Sequence, residues 1–156
     1  KRMVIKPNEM KVSKSLKKSI LNKGFVIKSN ENFEAVMRNC SNIKRKHEDS
    51  TWISEEFIQA YTDLHHLDIA FSIECYLNEE LVGGLYGLLI GNIFCGESMF
   101  AKVTDASKVA FYHLCQQAEE NGIKLIDCQV YNDHLASLGA YEISREKYFE
   151  ILNENI

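Results

Sequence analysis

The sequence predicts an α+β fold, a mixed and mainly antiparallel central sheet flanked by helices. Three observations carry this. Residues 70–100 hold three strand-like apolar runs separated by short turns. A helix-patterned stretch with start and stop signals follows at 105–122, and an apolar run at 124–130 leads into a short helical segment. At 156 residues the chain fits one domain, residues 1–156, able to bury roughly two thirds of its unfolded surface.

Taken in order, SKSLKKSILNKG (13–24) reads as a helix, with Ser13 as N-cap, Leu16, Ile20 and Leu21 as an apolar stripe and Gly24 as the stop. FVIK (25–28) is a short strand, and NENFEAVMRNC (30–40) a second helix carrying Phe33, Val36 and Met37. The polar segment SNIKRKHEDSTW (41–52) is expected to be a surface loop that delivers the only tryptophan, Trp52. SEEFIQAYTDLHHL (54–67) has a serine cap, acids in its first turn, and Phe57, Ile58, Tyr61 and Leu64 at helical spacing. The turns NEE (78–80) and GN (91–92) divide residues 70–100 into an antiparallel meander. DASKVAFYHLCQQAEENG (105–122) is a capped helix ended by Gly122, and KLIDCQV (124–130) a strand. NDHLASLGA (132–140) is a short helix capped by Asn132 or Asp133, and SREKYFEILNEN (144–155) a last helix.

Composition excludes several function classes. The chain is 46% hydrophobic and 26% charged, and no apolar run approaches the ~20 residues of a membrane span. A membrane partner is not expected. The front lacks a signal-peptide pattern and starts at Lys1, so a trimmed chain, or one cut from a longer protein, is expected. Five scattered cysteines without a CxxC pair point to a reducing cytoplasm and buried, inert thiols. The adjacent His65 and His66 point about 100° apart on a helix, so no metal site is expected.

Charge is unevenly spread. Residues 1–28, a basic segment expected to be largely helical, hold eight lysines and Arg2 against Glu9, a net +8. The remainder holds nine basic and 21 acidic residues, a net −12. A polyanionic partner and a merely solvated cationic face both account for the basic segment.

Chemistry concentrates in two strands. In LIDCQV, Asp127 and Gln129 share one face, while Ile126, Cys128 and Val130 take the other. In IFCGESMF, Cys95, Glu97 and Met99 share a face. Each strand thus sets an acid in an apolar run, which is costly unless the acid is paired or used. Two scaffold roles compete with a site: Asp127 capping the helix near residue 132, and Glu97 pairing with Lys108. Gly83, Gly84, Gly87, Gly91 and Gly96 thin the sheet, and a strand glycine marks a bulge or a close approach by a ligand. No GxGxxG, phosphate-binding loop or GxSxG elbow is present.

The order of elements resembles the acetyltransferase (GNAT-type) fold. The residues TW (51–52), HxxDIAFSIE (65–74), ELVGGLYGLLIGNIFCGESMF (80–100), DASKVA (105–110) and IDCQVYNDHLASLGAYEISR (126–145) resemble, more specifically, leucyl/phenylalanyl-tRNA–protein transferases. That resemblance runs over essentially the whole chain. It implies an aminoacyltransferase that carries leucine or phenylalanine, methionine less well, from aminoacyl-tRNA to proteins beginning with arginine or lysine. The product is marked for N-degron degradation. It implies a catalytic domain of acetyltransferase type that uses no cofactor and no coenzyme A, in keeping with VTDASK standing where a glycine-rich pyrophosphate loop would be. It also implies a smaller N-terminal domain, with GGDLS-like and GIFPW-like motifs, preceding residue 1.

The resemblance assigns roles as well. Asp127 polarises Gln129, whose amide oxygen orients the attacking amine; another proton acceptor, including the 2′-hydroxyl of the terminal adenosine, stays open. Leu85, Phe94, Met99 and Leu114 surround the donor side chain. Strand alternation alone does not put Phe94 and Met99 on one side, so either a bulge intervenes or one assignment falls. Trp52 stacks near the terminal adenosine, Asn132 bonds the aminoacyl end, and Glu97 meets the acceptor amine or holds the pocket. Lys14, Lys17, Lys18 and Lys23 are the expected tRNA contacts. Alternatives are a non-catalytic tRNA-binding fragment and a coenzyme A-dependent acetyltransferase, the latter disfavoured by VTDASK.

Overall fold

A computed structural model describes residues 1–47 and 54–156, with the backbone alone over 43–47. Strand β1 (Arg2–Ile5) leads through a 3-10 turn (Pro7–Glu9) to helix α1 (Lys14–Asn22) and strand β2 (Val26–Ser29). Helices α2 (Phe33–His47) and α3 (Glu55–His66) precede the meander β3 (Ala70–Leu77), β4 (Glu80–Ile90) and β5 (Ile93–Ala101). Then come α4 (Ala106–Glu120), β6 (Leu125–Gln129), α5 (Asp133–Ser137), β7 (Tyr141–Ile143) and α6 (Arg145–Asn155).

The strands form one sheet in the order β2-β3-β4-β5-β6-β1-β7. Only β5 and β6 run parallel, because α4 crosses between them; every other neighbour is antiparallel. The mixed, mainly antiparallel sheet read from the sequence is therefore present. Its meander closes tightly because Asn78 and Glu79 both take positive φ (51° and 67°), the twist that suits a two-residue hairpin.

Capping fixes where helices start. Ser13 Oγ accepts from the Leu16 N–H (3.0 Å), Ser54 Oγ from Phe57 (3.2 Å) and Ser144 Oγ from Lys147 (3.1 Å). Between the two candidate caps of α5 the structure selects Asn132, whose Oδ1 accepts from the Leu135 N–H at 3.1 Å. Asp127 is not that cap. Asp105 stands at the N-cap position of α4 with φ 69° but does not cap its own helix. Its carboxylate instead accepts the Ser19 hydroxyl at 2.6 Å, tying α4 to α1.

Three expectations are corrected, and one falls where it is not tested. Residues 41–47 are not loop: α2 runs on to His47, since nothing in SNIKRKH is a glycine or proline to stop it. Trp52 lies outside the described residues. Leu21 is 67% exposed, and Ser19 takes the inward position beside Leu16. The basic segment 1–28 is helical only over the 3-10 turn Pro7–Glu9 and the α-helix Lys14–Asn22; Arg2–Ile5 is an inner strand between β6 and β7, with Met3, Val4 and Ile5 fully buried.

Helices cover both sheet faces. Leu16 of α1 and Val109, Phe111 and Leu114 of α4 pack with Ile73, Leu85, Phe94 and Ile126 on one. On the other, α2 and α3 pack on Ala70, Tyr86 and Phe100, and Tyr148 of α6 on Val4, Ile93 and Leu125. The described residues contain no helix long and apolar enough to cross a membrane. Where α4 meets β4, a Cβ on Gly83 would stand 2.6 Å from the Ala106 Cβ. Gly83→Ala should therefore push α4 off the sheet and lower stability by about 1–3 kcal/mol, read as a drop in thermal midpoint.

Candidate active site

The site arises where two strands part. β5 pairs with β6 only from Ile93 to Cys95, then continues against β4 to Ala101. Beyond that point the sheet splays, and a cleft of about 990 Å³ opens between the second half of β5 and the segment from Ile126 to Leu135. Leu85, Phe94, Glu97, Met99, Leu114, Asp127, Gln129 and Asn132 all line it. Eight of the residues that the sequence singles out are thus brought together.

At the root of the cleft Asp127 is fully buried. Arg2 Nε donates to both carboxylate oxygens at 3.0 Å, and its terminal nitrogen reaches Oδ2 at 2.7 Å. The Tyr148 hydroxyl donates to Oδ2 at 2.7 Å, and the backbone N–H of Gln129 to Oδ1 at 2.8 Å. Burial first, then its bond to Asp127, raises the Tyr148 pKa, so the phenol stays a neutral donor. The bond to Asp127 likewise raises that of Arg2. Asp127 is an ionic anchor whose lone pairs are taken.

The contact between Asp127 and Gln129 is accordingly backbone-mediated. Gln129 sits at φ 69°, a left-handed conformation unusual outside glycine. This turn ends β6 and swings the side chain across the gap, where Nε2 donates to the Gly96 carbonyl at 2.7 Å. Because Gly96 offers a carbonyl, the amide nitrogen must face it, and Oε1 is left without a protein partner among the described residues. The same acceptor-only logic leaves Asn132 its Nδ2, since its Oδ1 caps α5.

A bulge settles the Phe94 and Met99 question. Gly87 pairs with Gly96 but Tyr86 with Ser98, so Glu97 is the extra residue on β5. That insertion flips the alternation and puts Phe94 and Met99 on one side, packed with Leu85 and Leu114. The same bulge lifts Glu97 into the cleft. There it does not pair with Lys108, whose nearest acid is Asp105 at 3.9 Å. Its charge lies near two phenols: burial first and Glu97 second raise the pKa of Tyr61, and Glu97 adds to the burial that raises that of Tyr86.

Elsewhere, Lys14, Lys17, Lys18 and Lys23 are exposed on α1 and just past its end, outside the cleft. No cluster able to hold a metal ion occurs among the described residues. Burial raises the thiols of Cys95 to about 11 and of Cys75, Cys115 and Cys128 to about 12, so none is a nucleophile near neutral pH. The sequence does not single out Arg2, Tyr148 or His134. His134 lines the cleft, and burial, then Lys108, lower its pKa. The usable signal for Arg2 is Asp127 itself, since a carboxylate in a core strand demands a cation.

A splayed mixed sheet with a cleft at the splay gives the chain an acetyltransferase-like fold. Its fold superimposes on FemX with a TM-score of 0.69, at 11% identity over 96% of this chain and 63% of that one. It matches an aminoglycoside acetyltransferase from an uncultured soil metagenomic sample with a TM-score of 0.62, at 12% identity over 80% of this chain and 94% of that one. The profile of the leucyl/phenylalanyl-tRNA protein transferase family matches residues 4–153. A member from Flavobacterium johnsoniae is 50% identical over 97% of this chain and 71% of its own length. One from Nitrosospira multiformis is 48% identical over 98% of this chain and 66% of its own. The chain belongs to this family, and it spans between 60% and 71% of the length of such relatives.

The anchor can be tested apart from any activity. Tyr148→Phe removes one donor from a buried carboxylate that keeps Arg2, so unfolding free energy should fall by about 1–3 kcal/mol. Arg2→Ala leaves that charge without its cation and should cost more, as denaturant titration would show.

Proposed function

We propose that this chain supplies the transfer chemistry of an aminoacyltransferase in the cytoplasm. It moves leucine or phenylalanine, and methionine less well, from aminoacyl-tRNA to the N-terminal arginine or lysine of an acceptor protein, creating an N-degron. The observation that carries this is the Gln129 amide, held across the splay with its oxygen facing a cleft whose inner wall is apolar.

The reaction is aminolysis of an ester. The acceptor nitrogen attacks the ester carbonyl, a C–N bond forms, the C–O bond to the terminal adenosine breaks, and the proton of the amine ends on the departing oxygen. An α-amine has a reference pKa of about 7.7–8.0, so a neutral fraction exists at cellular pH, and positioning is the main requirement. Gln129 Oε1 accepts a hydrogen bond from the attacking amine and aligns its lone pair. Asp127 acts through Gln129 by fixing its backbone; with both oxygens engaged, it is not the terminal proton acceptor. The proton is assigned instead to a relay through the adenosine 2′-hydroxyl.

Leu85, Phe94, Met99 and Leu114 receive the donor side chain, and the flexible thioether of Met99 accommodates leucine and phenylalanine alike. Asn132 offers Nδ2 to the aminoacyl end, and Glu97 attracts the cationic acceptor. No cofactor is required. The exposed lysines of α1 meet the acceptor-stem phosphates.

Transfer of labelled leucine from charged tRNA to an arginine-starting peptide tests the whole reading. Gln129→Ala should lower turnover about a hundredfold or more while charged-tRNA binding is kept; near-normal turnover would remove Gln129 from the chemistry. Replacing Lys14, Lys17 and Lys18 by Gln should weaken all charged tRNAs alike and reduce the log–log salt slope by about 2 to 3. Matching slopes for wild type and triple variant would show a merely solvated face.

A further inference from the structure

Beyond Cys95, strand β5 carries a second edge that no other strand uses among the described residues. On one side β4 pairs with it along its whole length, from Ile90↔Ile93 to Gly83↔Ala101. On the other, β6 covers Ile93–Cys95, and the Gln129 amide adds one further rung at Gly96. The Lys102 N–H donates to the Val82 carbonyl at 2.7 Å, which makes that opposed pair a hydrogen-bonded one. Bonded and non-bonded pairs alternate along an antiparallel ladder. Stepping back along the register, Phe100 and Ser98 turn their N–H and C=O groups to Gly84 and Tyr86. Met99 and Ala101 therefore turn theirs the other way, into the cleft. Among the described residues no hydrogen bond reaches those groups.

At the head of this edge stands the bulged Glu97, with no hydrogen bond or ion pair among the described residues and with Tyr86 beside it. A carboxylate followed by two open backbone rungs matches a cationic residue followed by an extended chain. Resting on the transfer reading above, we propose that the acceptor polypeptide docks as an added strand on β5, its cationic first residue at Glu97 and its backbone paired with Met99 and Ala101. Main-chain pairing of this kind is indifferent to side chains. It lets one site hold acceptors that share only their first residue, while keeping the α-amine at Gln129.

The rungs are two residues apart, so the acceptor should show a period of two. In a set of arginine-starting peptides, each backbone amide from the second to the sixth is N-methylated in turn, and the acceptor KM is measured with charged tRNA saturating. KM should rise roughly three- to tenfold at two alternate amides and stay level at the amide between them. A flat profile overturns the proposal, and so does a rise at every position, which is crowding. An unmodified peptide that accepts no amino acid would sink the transfer reading itself, and this proposal with it. Ala101→Pro removes one cleft-facing N–H without touching a β4 rung, so it should raise the acceptor KM but not that for charged tRNA. If that variant fails to fold, the peptide series still decides.

Discussion

One fully buried carboxylate holds the functional half of this molecule together. Asp127 gathers Arg2 from β1, Tyr148 from α6 and the backbone of Gln129 onto two oxygen atoms. A carboxylate so placed is tolerable only because each lone pair is met. In return it holds Gln129 at a positive φ that costs of order 1–3 kcal/mol outside glycine. That strained turn ends β6, throws the amide across to Gly96 and so fixes the width of the splay. The cleft is a consequence of the anchor.

The bulge on β5 does complementary work. One extra residue, Glu97, lets a single strand give Phe94 and Met99 to the apolar wall and an acid to the opposite rim. Without it the alternation would send Met99 to the α2 and α3 side. At the start of α4, the Asp105 carboxylate, bonded to Ser19, puts negative charge where a helix N-terminus would otherwise draw an anion. In this chain that end of α4 is used to dock α1.

How far the sequence reveals all this depends on signal length. The meander, the serine caps and the Asp127–Gln129 strand are legible because alternation and capping repeat over several residues. The bulge is visible only as a conflict, two pocket residues that strict alternation keeps apart. β1 is hidden: RMVI is four residues between lysines, and its partners lie more than a hundred positions away. Tyr148 is hidden for the same reason: α6 also carries Phe149, Ile151 and Leu152, and nothing local announces that the phenol meets a buried carboxylate. Asp127 announces that it needs a partner but not which one. The helical continuation over SNIKRKH is missed because polarity suggests loop, whereas chain-breaking residues are what end a helix.

The position of β1 also sets the order in which the protein can be made. Met3, Val4 and Ile5 find their places only between β6 and β7, so this strand, translated before either of them, is inserted late. Until then the emerging polypeptide carries a solvent-exposed β-prone triplet through the synthesis of more than a hundred residues. Such long-range closure is slow and open to intermolecular mispairing. Lys1, Arg2 and Lys6 flank the triplet and repel other nascent copies, as gatekeeper charges do. One of them, Arg2, then becomes the counter-ion of Asp127, so a residue that keeps the growing chain soluble also closes the finished sheet.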